Sequence, residues 1–277
     1  MSIGRINSFV QKHFQDRIIF KAFYKQRKTI TPNRQILMSK YLNPLALFLL
    51  LFSFQIAHAF QIEPMEVTLQ PVGPKSQSMY KITNPSDKPL AIQVKIATRK
   101  QNLDGSELHE EAEDDFLIYP PQMIIKPNSS QKVRIQWLGD TTPESEVPYR
   151  FIAEQLPIQL TKKELSGVNM ILTVMGTIYI AAPNTKSQIM VDKVEPYNTE
   201  KGGQKLALTV SNHGTAHQIL RNPKITIQNG DKVLILTDIQ TKGLSDMNVL
   251  PGSTRRFLIP WPDGLNPNTT ISAQLKL

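Results

Sequence analysis

Residues 168–182 read VNMILTVMGTIYIAA, a run of fifteen uncharged residues that ends directly before Pro183. The run is rich in Val, Ile, Thr and Tyr, which favour β-strands. It is also shorter than the roughly 20 apolar residues that a membrane-spanning helix needs. Both faces of such a strand would be largely apolar. The run is therefore either an ordinary core strand or a strand that offers one face to another protein.

Short β-rich segments separated by turn signals continue on both sides of this run. Apolar and polar residues alternate in 91–96 and 132–137, as in an antiparallel sheet with one solvated face. About seven such segments before Pro183 are typical of an immunoglobulin-like sandwich, and the pattern restarts after the polar stretch 184–187. We therefore predict an all-β protein with two immunoglobulin-like β-sandwich domains, at residues 60–184 and 185–277.

The first 59 residues have a different composition from the rest. The whole chain carries a net charge of +9, but nine basic residues and only one acid lie before Phe60, which leaves 23 basic and 22 acidic residues from there on. Within residues 42–59, LNPLALFLLLFSFQIAHA, an apolar stretch follows Lys40 and ends in Ala-His-Ala, the pattern of a secretory signal. We predict that residues 1–59 are an N-terminal extension and signal peptide, with Met1 or Met38 as the start. An uncleaved membrane anchor is the alternative.

Composition and motifs also exclude several function classes. The basic excess lies outside the folded part, which disfavours nucleic-acid binding. The chain has no cysteine, no G-x-S-x-G elbow and no glycine-rich phosphate loop. The acidic run 107–115, ELHEEAEDD, lacks the spacing of a calcium loop and is interpreted as solvated, and His213 and His217 are interpreted as structural. We predict no catalytic residues, no metal, no cofactor and no enzymatic activity.

Four stretches, in this order, resemble the PapD-like periplasmic pilus-assembly chaperones, most closely the archaic branch that serves Csu-type pili. They are FQIEPMEVTL at 60–69, PPQMIIKP at 120–127 followed by 131–137, YRFIAEQLP at 149–157, and NHGTAH at 212–217 together with RRFLIPWP at 255–262. The resemblance covers residues 60–277 and implies two domains arranged in an L. It also implies a periplasmic chaperone that binds, folds and caps pilin subunits by donor-strand complementation and delivers them to an outer-membrane usher.

With this resemblance, the run 168–182 becomes the candidate donor strand. Alternate residues of a strand share a face. The residues predicted to enter the pilin groove are Val168, Met170, Leu172 and Val174. Those predicted to pack in the domain's own core are Ile171, Thr173, Met175 and Thr177. Because both faces are apolar, a one-residue slip would exchange the two sets.

Two further site predictions start from departures from the better-known branch of the family. That branch anchors the pilin's terminal carboxylate with an Arg and a Lys that residues 61–72 and 168–182 do not supply. Arg150 is the candidate anchor, since Arg can bind a carboxylate through two parallel hydrogen bonds; a surface Arg paired with a nearby acid is the alternative. Glu154 occupies the place of an interdomain Arg, so we predict its contact with Arg255 or Arg256.

The rival interpretation is an exported two-domain β-sandwich that is itself a structural protein or an adhesin of the cell surface, with 168–182 as a plain core strand. The chaperone interpretation predicts pilin subunits and an usher as partners. It predicts no nucleic acid and no stable membrane insertion after signal cleavage. An exposed apolar edge also favours self-association of the free protein.

Overall fold

The structure is a computed structural model that describes residues 59–157, 171–200 and 202–277. Apart from Ala59, the predicted extension and signal peptide lie outside these residues, as do Val168 and Met170 of the candidate strand. The described residues form one compact unit. None of the helices in the described part is long and apolar enough to span a membrane.

The first sandwich is built from two sheets whose strands are mostly antiparallel. One sheet has the strand order β1-β3-β9-β7 and the other has the order β2-β11-β10-β4-β8, while β5 and β6 form a separate hairpin. The strands are β1 (Gln61–Glu63), β2 (Glu66–Leu69), β3 (Gln77–Asn84), β4 (Leu90–Thr98), β5 (Lys100–Gln101), β6 (Glu107–Leu108), β7 (Phe116–Tyr119), β8 (Gln122–Ile125), β9 (Ser129–Trp137), β10 (Val147–Leu156) and β11 (Thr173–Ile180). Short 3-10 helices span Pro74–Ser76 and Glu113–Asp115.

The core of the first sandwich lies between these two sheets. Tyr80 and Phe151 stack with their ring centroids 3.9 Å apart, and each comes from a different sheet. The alternation that predicted strands at 91–96 and 132–137 is confirmed, because the alternating large apolar residues of both segments are buried and the residues between them are not. The buried residues are Ile92, Val94, Ile96, Val133, Ile135 and Trp137. These alternating faces hold the sheets together by burying apolar area on one side only.

The second sandwich has its own hydrophobic core, separate from the first. Its sheets have the orders β12-β13-β18 and β16-β15-β19, with β14 and β17 as an additional pair. The elements are β12 (Ile189–Asn198), β13 (Gln204–Asn212), β14 (Gln218–Ile219), β15 (Lys224–Asn229), β16 (Lys232–Ile235), α1 (Asp238–Thr241), β17 (Asn248–Val249), β18 (Thr254–Pro260) and β19 (Ile271–Lys276). The predicted fold class, all-β with two sandwiches, is confirmed. The domain boundary at 184/185 stays a prediction.

Candidate functional site

Strand β11 is paired along its whole length on one side and only along half of its length on the other. It runs antiparallel to β10, from Thr173 opposite Glu154 to Ile180 opposite Val147. On the other side, β2 pairs with β11 in parallel, but only over residues 177–180. Among the described residues, no strand pairs with 173–176 on that side. Within the part of the chain that the structure describes, the first half of β11 is therefore an open sheet edge.

The directions of the backbone groups follow from two hydrogen bonds of this segment. The N–H of Gln155 in β10 donates to the Leu172 carbonyl oxygen at 2.9 Å, and the N–H of Thr177 donates to the Met65 carbonyl oxygen on the opposite side at 2.8 Å. Alternate residues of an antiparallel strand direct their N–H and C=O groups to the same side. Thr173 and Met175 therefore direct theirs to the open edge, where an added strand would find them.

The side chains of this segment correct the predicted faces. Ile171 and Met175, expected in the core, are 56% and 42% exposed. Leu172 and Val174, expected on the offered face, are half-buried and pack against the first core. The pairing with β10 turns the even-numbered side chains inward, which is the slipped alternative that two apolar faces allow. For residues 171–175, the outward face is thus the opposite of the predicted one, and Thr173 is exposed as well. Thr177, also predicted inside, is buried, where it accepts a hydrogen bond from Arg150.

Arg150 is held by groups of its own chain. Its Nε and Nη2 donate to the two carboxylate oxygens of Glu107 at 2.8 and 2.7 Å, and its Nη1 donates to Thr177 Oγ1 at 2.7 Å. This is the alternative that the sequence left open, an Arg paired with a nearby acid. Because every guanidinium nitrogen already has an acceptor, we do not assign the binding of a subunit carboxylate to Arg150.

A second arginine shares the carboxylate of Glu107. Arg99 Nε donates to Glu107 Oε1 at 2.8 Å, and Arg99 Nη1 donates to the hydroxyl of Tyr179 at 3.1 Å. The side chain of Arg99 is only 6% exposed and that of Glu107 17%. Burial alone would raise the pKa of Glu107, but the hydrogen bonds from Arg150 and Arg99 outweigh it and lower the pKa to about 2.

The acidic run 107–115 is thus not entirely solvated, as its composition suggested. Besides Glu107, Asp115 is engaged, because its Oδ2 accepts a hydrogen bond from the Tyr149 hydroxyl at 2.7 Å. Nothing in the linear spacing distinguishes these two acids from their solvated neighbours. Only the folded hairpin of β5 and β6 brings Glu107 to both arginines.

The predicted contact of Glu154 is also corrected. Glu154 lies opposite Thr173 near one end of β10, and its carboxylate is 4.0 Å from Lys95 Nζ. Arg255 and Arg256 do lie where the two sandwiches meet, but they contact the loop 102–105. The Arg256 N–H donates to the Leu103 carbonyl oxygen at 2.6 Å, and the guanidinium of Arg255 fills the space beside Gly105.

The two sandwiches meet mainly through polar and aromatic groups. His217 Nδ1 lies 2.6 Å from Glu146 Oε1, and the His217 ring stacks on Tyr179 with centroids 4.0 Å apart. Asn248 Nδ2 donates to the Tyr179 hydroxyl at 2.7 Å. Gln101 Nε2 donates to the Asn248 carbonyl oxygen, and Gln101 Oε1 accepts a hydrogen bond from the Leu250 N–H. Tyr179 of β11 is therefore held by His217 and Asn248 of the second sandwich.

Gly214 is required beside this joint because another backbone segment approaches it closely. A Cβ at this position would clash with the Lys186 carbonyl oxygen and lie 2.5 Å from the Gln188 nitrogen. We expect Gly214→Ala to lower the free energy of unfolding by about 2 kcal/mol, measured by urea unfolding. Gly243→Ala is the control, since a Cβ there meets nothing within 4 Å. Equal effects of the two variants would contradict this expectation.

Comparison with known proteins gives a family for the first sandwich. The family model of the N-terminal domain of PapD, described as a pili and flagellar-assembly chaperone, matches residues 59–178. This range covers the strands of the first sandwich almost to the end of β11. A search of curated proteins found no match.

Solved structures resemble the chain in fold. One is the complex of the CsuC chaperone with the CsuE tip adhesion subunit from the archaic chaperone-usher Csu pili of Acinetobacter baumannii, with a TM-score of 0.51 and 16% identity over 78% of this chain and 97% of that chain. Others are the class 5 fimbriae chaperone CfaA (TM-score 0.48, 14% identity, 79% and 99% covered) and the CupB2 chaperone of Pseudomonas aeruginosa (0.44, 13%, 78% and 98%). At such identities the likeness concerns the fold. The family match shows that residues 59–178, the first sandwich, belong to the family of N-terminal domains of PapD-like pilus-assembly chaperones.

Proposed function

We propose that this chain is a periplasmic chaperone that caps pilus subunits by donor-strand complementation and delivers them to an outer-membrane usher. The family match of residues 59–178 supports a chaperone role in pilus assembly. The periplasmic location is supported by the signal pattern at residues 42–59. Delivery to an usher is supported by the family resemblance alone.

The observation that carries the proposal is the open edge of β11. In donor-strand complementation, an incomplete subunit exposes a groove and an unpaired edge, and the chaperone supplies the missing strand. Such a strand needs free backbone groups along one edge and apolar side chains that face outwards. Residues 171–175 have both, because Thr173 and Met175 direct backbone groups to the open side while Ile171 and Met175 expose their side chains.

Co-expression with a subunit tests this function directly. The chain is produced in the periplasm together with the pilin-like proteins encoded by neighbouring genes. We expect one of these subunits to be degraded when produced alone and to be recovered as a 1:1 complex with the chaperone. If no subunit is stabilised and the chain instead assembles with itself, the adhesin interpretation takes its place.

A proline at position 173 tests the open edge. The Thr173 N–H points away from β10, so Thr173→Pro removes a donor that the chain's own sheet does not use. We expect at least about a tenfold loss of subunit affinity, since an added strand loses a hydrogen bond and meets the ring. The thermal midpoint of the free chain should change little.

Thr173→Val is the matched control, because it keeps the N–H and the β-branched shape. Affinity is measured by titrating labelled subunit, and folding by circular dichroism. Equal binding by the Pro and Val variants would show that subunits do not pair with this edge.

A further inference from the structure

Residues 171–175, which lead into β11, specify their own register only weakly. In this segment, Ile171 and Met175 point outwards, and Leu172 and Val174 point inwards. All four of these side chains are apolar, and only Thr173 between them is polar. A one-residue slip exchanges the two faces of a strand. Over residues 171–175, the slip would replace apolar side chains by other apolar side chains, except that Thr173 would turn inwards. Another part of the strand must therefore fix which face is offered.

The second half of β11 carries polar groups at alternate positions. Thr177 is directly opposite Arg150 in the ladder and accepts the hydrogen bond from Arg150 Nη1. Tyr179, two residues later, accepts the hydrogen bond from Arg99 Nη1. Both residues are buried. Their neighbours in the strand offer no side-chain acceptor: Gly176, Ile178 and Ile180.

Glu107 holds both arginines in place. It accepts two parallel hydrogen bonds from Arg150 and at least one from Arg99. Two buried guanidinium groups with one carboxylate between them have little freedom to follow a moving strand. A slip of β11 by one residue would leave both arginines and both hydroxyls without these partners, and buried polar groups tolerate this poorly.

We infer that Glu107 is a positioning residue: by fixing Arg99 and Arg150, it sets the register of β11 and so determines that Ile171 and Met175 face outwards. The consequence for subunit binding rests on the proposed function. The register itself is a property of the free chain and can be measured without any subunit.

Engineered disulfides report the register, because the chain has no cysteine of its own. Glu154 and Thr173 are opposite each other in the ladder. Glu154→Cys with Thr173→Cys therefore reports the observed register. Glu154→Cys with Leu172→Cys or with Val174→Cys reports a slip in either direction. We expect the first pair to oxidise at least about tenfold faster than the other two, given the narrow geometry of a disulfide.

The three cysteine pairs are then combined with changes in the cluster. Glu107→Gln should lower the ratio of oxidation rates between the first pair and the other two by at least about threefold, because the two arginines no longer hold β11 in one register. Thr177→Val removes only the hydroxyl and should act in the same direction while leaving Glu107 with both arginines. Thr177→Ser keeps the hydroxyl and should restore the preference. Circular dichroism confirms that each variant is folded.

An unchanged preference in a folded Glu107→Gln protein would overturn the proposal. If that variant does not fold, Thr177→Val decides in its place, and an unchanged preference there has the same meaning. A reduced preference in Thr177→Val that Thr177→Ser does not restore would also overturn it. If a Glu107→Gln protein lost subunit binding while its cysteine pairs oxidised with the same preference, Glu107 would not set the register. The proposal that subunits pair with the open edge of β11 would not be affected by that result.

Discussion

A double variant with Ile171→Asp and Met175→Asp is expected to lose at least about 100-fold in affinity for a pilus subunit, because each of these side chains contributes roughly 1.5–3 kcal/mol when fully buried. Aspartate in their place would carry charge into an apolar groove. In the free chain both side chains face solvent, so the variant should stay folded. Titration with labelled subunit measures the affinity, and urea unfolding measures the stability.

Two comparison variants make this prediction specific. Ile124→Asp changes an exposed apolar residue on β8, at the opposite edge of the same sheet, and should bind normally. Leu172→Asp with Val174→Asp places charge against the first core and should lower the stability of the chain itself. The opposite pattern would support the faces first predicted from the sequence. In that case the Leu172/Val174 variant would fold but no longer bind the subunit, and the Ile171/Met175 variant would still bind it.

Glu107→Gln is expected to lower the free energy of unfolding by about 3 kcal/mol at pH 7, since removing one partner of a buried ion pair leaves charge without compensation. Both guanidinium groups that Glu107 serves are largely buried. Glu110→Gln is the control, because its ion pair with Lys100 is exposed and should matter by less than about 1 kcal/mol. Urea unfolding of the three proteins checks the prediction.

The effect of Glu107 should also depend on pH in a defined direction. Its pKa is about 2 in the folded chain, below its ordinary value of 4.5. The carboxylate therefore adds stability that is fully present above pH 4.5 and is lost as the pH falls towards 2. The difference in the free energy of unfolding between wild type and Glu107→Gln should therefore become smaller as the pH is lowered from 5 to 3. A constant difference over this range would show that the ion pair is not its source.

The sequence predicted the strands with one buried face better than the strand with two apolar faces. In β4 and β9, polar residues alternate with apolar ones, so only one orientation buries the apolar set. The run 168–182 has no such asymmetry at its start, and the predicted faces of Leu172 and Val174 were wrong. The polar positions that do orient it, Thr177 and Tyr179, lie at its other end and act through Arg150 of β10 and Arg99, which directly follows β4.

Arg99 and Glu107 were missed as site residues, and the partners of Arg150 were not predicted, because this cluster depends on tertiary contacts. Arg99 and Glu107 are eight residues apart across a hairpin, and Arg150 lies 43 residues beyond Glu107. No periodicity within one segment encodes such a cluster. Likewise, the matched family position of Glu154 gave the right region for Arg255 and Arg256 but the wrong partner, since Lys95 stands beside Glu154 in the same sheet.

The partial cover of β11 by β2 limits how far any added strand can extend. From Thr177 onwards the edge is occupied, first by the Met65 carbonyl oxygen and then by the parallel pairing of β2. A visiting strand must terminate before that point, whatever its own length. The position of β2 in this chain, and not the length of the added strand, therefore sets where such pairing ends.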